Sequence, residues 1–138
     1  MNDMVLQTLD SGLLTITMNR PDRRNALNPD MTLGLVEAAR RAAEDHEVRA
    51  VLLKGAGGTF CVGGDVKSMA AGRAPLPFEA KKTNLRRGME VSRILHQMQK
   101  PVAFRCVHGL TDVAGHDFYL VARSRLPKRK PCSLSCVS

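Results

Sequence analysis

No apolar run in this chain approaches the length needed to span a bilayer, so a membrane-spanning helix is excluded from the reading. The N-terminus, Met1-Asn2-Asp3-Met4-Val5, lacks a basic region followed by an apolar stretch, which argues against a secretory signal. The cysteines Cys61, Cys106, Cys132 and Cys136 share no framework spacing, which favours a reduced, cytoplasmic protein over a disulfide scaffold. His108 and His116 with Cys132 and Cys136 contain the atoms of a zinc site, but Cys-x3-Cys without matching histidine spacing reads as chance, so no metal is expected. No internal repeat is visible.

What is present fits one ordinary domain. The 138 residues are 43% hydrophobic and 25% charged, enough for a single core. The net charge of +8 is local: residues 1–72 hold 8 Lys/Arg against 9 Asp/Glu, whereas residues 73–105 hold 8 against 2. That unevenness argues against a nucleic-acid binder. The basic tail Arg123 to Lys130 also lacks interleaved aromatics, having only Phe118 and Tyr119 near it.

Along the chain, Val5–Leu9 and Leu13–Met18 are β-type runs joined by the hairpin signal Asp10-Ser11-Gly12. Pro21 stops the second strand. Asn28-Pro29-Asp30 opens a helix, with Asn28 as N-cap, Pro29 at the first helical position and Asp30 in the positive first turn. Leu33, Val36, Ala39 and Ala43 are its expected apolar stripe, running to about Asp45. A strand over Val48–Leu53 follows, then the glycine-rich loop that begins at Gly55 and a helix start around Asp65, Lys67 and Ser68. Backbone N–H groups in a strand–loop–helix of this kind can be aimed at a developing negative charge. Residues 70–77 read as a loop. Phe78 to Gln99 reads as a helix burying Leu85, Met89, Val91, Ile94, Leu95 and Met98. Its Lys81, Lys82, Arg86 and Arg87 are either a wet face or a steering patch for an anionic ligand. Val102–Val107 is the last strand, and helices between strands imply parallel pairing.

Three pieces of this sequence, in this order, resemble the crotonase (enoyl-CoA hydratase/isomerase) superfamily. They are Asn19-Arg20-Pro21 with Arg24-Asn25-Ala26-Leu27, then Gly57 to Val66, then Lys100-Pro101-Val102-Ala103 with His108-Gly109. The resemblance covers residues 5–109. It implies an α/β fold, here an incomplete crotonase-like (ClpP/crotonase) spiral built from ββα units, over residues 1–117. It also implies acyl-CoA chemistry of fatty acid metabolism, such as hydration of a 2-enoyl-CoA or double-bond isomerisation. The thioester carbonyl would sit in an oxyanion hole of two backbone N–H groups, with no cofactor beyond the CoA that the substrate brings. The partner implied is an acyl-CoA thioester, with no nucleic acid and no membrane, in a homotrimer or hexamer.

Carried over by position, the first donor is the N–H of Gly64, and Arg24, Ala26, Gly63, Gly64, Asp65, Val66 and Lys67 line the substrate site. Arg24 is either a contact to the CoA phosphates or a solvated loop charge. Counting from Gly109 puts Ala114 at the second donor and Asp117 at the first catalytic carboxylate. The second carboxylate position falls on Val137, which cannot do acid–base work. Residues 118–138 form an atypical basic tail. Translation out of frame from about Phe104 onward and natural divergence or truncation are the two explanations, and the coding DNA separates them. Three functions stand side by side: an active acyl-CoA enzyme, a CoA-thioester-binding module without turnover, and a non-functional fragment.

Overall fold

The computed structural model describes residues 3–65 and 77–105. Four strands lie in the order β1-β2-β3-β4, with β1 Val5–Asp10, β2 Leu13–Met18, β3 Ala50–Gly55 and β4 Val102–Arg105. β1 pairs antiparallel with β2, while β2–β3 and β3–β4 are parallel. The hairpin turn uses Ser11 at φ 49° and Gly12 at φ 87°, the positive values that a two-residue type I′ turn requires.

Helix α1 (Pro29–Glu44) connects β2 to β3, and helix α2 (Phe78–Gln97) precedes β4. Asn28 caps α1 as expected, its side-chain oxygen accepting from the Met31 N–H at 2.8 Å. Helix α1 packs on β1 and β2, and α2 packs against α1. Leu14, Ile16 and Met18 of β2 and Val51 and Leu53 of β3 share one hydrophobic core with Met31, Leu35, Ala38 and Ala42 of α1. Val91, Ile94 and Leu95 of α2 and Met98 just beyond it join the same core.

Several sequence expectations shift. β3 runs two residues later than Val48–Leu53, because Val48 is buried as a loop residue whose N–H bonds to Asp45 O. On α1, Leu33 and Ala43 are exposed. Val36 and Ala39 are buried as expected, together with Met31, Gly34, Leu35, Ala38 and Ala42, and Leu33 lies about 200° around the helix from Met31. On α2, Leu85 and Met89 are exposed at 67% and 64%, on the side opposite Val91, Ile94 and Leu95. The strand expected to reach Val107 is described only to Arg105, and the helix expected after Asp65 lies outside the described residues.

Candidate active site

The loop after β3 is fixed to the loop after β2 by hydrogen bonds from the Asn25 side chain. A short 3-10 turn, Pro21–Arg23, is followed by two left-handed residues, Arg24 at φ 50° and Asn25 at φ 56°. Asn tolerates this region better than most residues. Asn25 is completely buried, and its amide is fully used: Nδ2 donates to Ala56 O at 2.9 Å and Thr59 O at 2.7 Å, while Oδ1 accepts from the Arg20 N–H at 2.8 Å. A Cβ at Gly55 would run into the Thr59 and Phe60 carbonyls, so the strand end must be glycine where the loop doubles back.

Phe60 and Cys61 anchor the far side of the loop in the core. Phe60 meets Phe104 of β4 edge to face, with ring centroids 6.2 Å apart. Cys61 is buried, and its Sγ accepts from the Gly63 N–H at 3.3 Å. Gly63 adopts φ 93°, which turns the chain outward.

Gly63 to Asp65 form a one-residue parallel bridge with Leu27. The Leu27 N–H donates to Gly63 O at 2.7 Å, and the Asp65 N–H donates to Leu27 O at 2.9 Å. In such a bridge the flanked residue, Gly64, points its own N–H and C=O away from the partner strand. Among the described residues nothing accepts from that N–H, Gly64 is exposed, and a Cβ there would meet nothing within 4 Å. One backbone donor is therefore held in a fixed direction, uncovered by any of the described residues.

Beside it, Arg20 Nη2 pairs with Asp65 Oδ2 at 2.7 Å, and Arg20 Nη1 donates to Ala26 O at 3.0 Å. The Asp65 carboxylate is buried and its contact is with protein. Arg24 is exposed, and Ala26 is buried. The structure thus brings Arg24, Ala26, Gly63, Gly64 and Asp65 into one double loop. Val66, Lys67, Ala114 and Asp117 lie outside the described residues. Arg20 and Asn25 stood in the quoted motif without a role. Their ties to Ala56, Thr59 and Asp65 span 31 to 45 positions, and only the fold reveals them.

The profile of the enoyl-CoA hydratase/isomerase family matches residues 13–123. The chain belongs to the enoyl-CoA hydratase/isomerase family. It is 44% identical over 70 residues to a probable enoyl-CoA hydratase of Mycobacterium tuberculosis, covering 51% of this chain and 27% of that protein. It is 38% identical over 66 residues to the 1,2-epoxyphenylacetyl-CoA isomerase of Escherichia coli, covering 48% and 25%. Among solved structures, Pseudomonas aeruginosa AtuE superposes with a TM-score of 0.77 at 32% identity, over 86% of this chain and 45% of that one. The enoyl-CoA hydratase of Mycobacterium smegmatis gives 0.67 at 38% identity, over 75% and 39%. This family member thus matches about a quarter of the length of those curated relatives and less than half of those solved chains. Its mixed α/β sheet is the fold of the corresponding part of its neighbours.

Proposed function

We propose that this enoyl-CoA hydratase/isomerase family chain binds an acyl-CoA thioester, with the Gly64 N–H donating to the thioester carbonyl oxygen. The Leu27–Gly64 bridge carries the reading, because it turns that one N–H outward and fixes its neighbours. A fixed backbone dipole stabilises an enolate oxygen without reorganising as charge develops. Loss of one such donor in an enzyme typically costs about 3–4 kcal/mol of transition-state stabilisation. Ala114 N–H is the proposed second donor and Asp117 the proposed acid–base group. Arg24, exposed at the rim of the double loop, is the proposed contact to the CoA phosphates. Hydratase turnover is expected to be weak or nil, since Val137 occupies the position of a second carboxylate.

Acyl-CoA binding without turnover is the second reading, favoured by that same valine. Amide NMR of the labelled protein tests the proposal. Acetyl-CoA is expected to shift the Gly64 N–H resonance more than CoA does, and equal or absent shifts at millimolar ligand would remove the thioester reading. Crotonyl-CoA absorbance then divides enzyme from binder. Robust hydration abolished by Asp117→Ala would overturn the low-turnover expectation.

A further inference from the structure

We infer that Arg20 is the positioning residue for the Gly64 donor, acting through Asp65; this rests on the oxyanion reading above. Gly64 has no side chain, and a Cβ there would meet none of the described residues within 4 Å, so packing does not hold its orientation. Its two neighbours hold it, through Leu27 on the backbone side and through Arg20 on the side-chain side. Arg20 closes the ring. One arm of its guanidinium grips Asp65 at 2.7 Å, and the other grips the carbonyl of Ala26, the residue before Leu27, at 3.0 Å. The Arg20 backbone N–H is tied to Asn25 Oδ1, which fixes where the arginine starts. A compact ammonium would lack the planar fork that makes these two contacts together.

Stability alone is a weak reason for this pair. Its side chains are only 15% and 6% exposed, and a buried ion pair often stabilises no more than apolar residues of similar volume. What the pair supplies is direction: it sets the relative position of two loops whose junction presents one N–H.

The test compares wild type with Arg20→Lys, Arg20→Met and the double variant Arg20→Met/Asp65→Leu, which removes both charges together. Hydrogen exchange reads the positioning without ligand. The Leu27 and Asp65 amides are expected to exchange at least about tenfold faster in all three variants, while the β3 amides of Val51 and Leu53 keep their wild-type rates. With ligand, the isotope-labelled thioester carbonyl of acetyl-CoA is expected to lose its bound-state NMR shift in the double variant, read at ligand concentrations that saturate it. Unchanged Leu27 and Asp65 exchange would overturn the inference, as would exchange that rises equally in β3. A retained carbonyl shift in the double variant would also overturn it. A wild type that shows no carbonyl shift would remove the oxyanion reading instead, and the exchange result would still decide whether Arg20 holds the loops.

Discussion

The Asn25 side chain donates to the Thr59 carbonyl at 2.7 Å across 34 positions of sequence, from a residue that is itself left-handed and wholly buried. Two loops are thereby joined by one amide. Asn25→Asp removes both Nδ2–H donors and sets an anionic oxygen against two carbonyls. It is expected to cost about 2–4 kcal/mol, since each buried group left unsatisfied costs about 1–3 kcal/mol. Asn25→Gly accepts the φ of 56° at no strain yet loses the same bonds, so its urea midpoint is also expected to fall. A Gly variant as stable as wild type would mean that backbone freedom, not the amide, is what the site requires.

Adjacent glycines in the loop are expected to answer differently to the same substitution. Gly63 sits at φ 93°, where a Cβ is strained, so Gly63→Ala is expected to destabilise by about 1–3 kcal/mol. Gly64 is outside the positive-φ set and its Cβ would meet open space, so Gly64→Ala is expected to stay within about 0.5 kcal/mol of wild type. Gly64→Ala keeps its N–H and is expected to keep the thioester-induced amide shift. Urea unfolding and amide NMR check both, and equal losses at the two positions would contradict the geometry.

On α2, Glu90 and Arg93 form a two-pronged pair, with Arg93 Nη2 and Nε at 2.6 and 2.9 Å from the two carboxylate oxygens. The Arg93 hydrogen bond holds the Glu90 carboxyl below its ordinary value of 4.5, and the charges of Arg93 and Arg40 add to it. Because the folded value is depressed, the pair contributes fully above pH 4.5, and its contribution is lost as pH falls through the lowered value. Arg93→Met is expected to move the Glu90 titration upward toward 4.5, as read by carboxyl NMR. An unchanged midpoint would mean that the pair does not persist in solution. As an exposed pair it is expected to weaken with added salt.

Local chemistry made much of the scaffold legible. Asp10-Ser11-Gly12 dictated a hairpin, Asn28-Pro29 a helix start, and the run ending at Leu53 a strand; β2 and the start of α1 formed where expected, β1 ends one residue later and β3 runs two residues later. The glycine loop was legible as a sharp turn, because positive φ at Gly57, Gly58 and Gly63 is a local demand. Helix α2 was harder, since Leu85 and Met89 carry apolar residues onto the face opposite Val91, Ile94 and Leu95, and periodicity alone does not say which face is covered. The ties at the site were not legible at all. Arg20 to Asp65 and Asn25 to Thr59 join residues on different loops, and no spacing rule encodes a partner that only the folded sheet brings near.

Lys100 is a further case of this kind, and its role is testable. It ends the α2 segment in sequence, yet its Nζ donates to Ala42 O at 2.7 Å and Asp45 O at 2.6 Å, at the C-terminal end of α1. Carbonyls there lack intrahelical partners and carry the negative end of the helix dipole, so a cation satisfies both needs at once. It also ties the end of α1 to the start of β4, two elements that share the core through Val102 and Ala42. Lys100→Met keeps the apolar stem and loses the charge and both donors. It is expected to cost about 1.5–3 kcal/mol, the scale of charge-assisted bonds in a partly buried place. The urea midpoint should fall at constant slope, because the surface exposed on unfolding is unchanged. A loss below about 0.5 kcal/mol would place Lys100 with ordinary surface lysines and leave the α1 terminus to water.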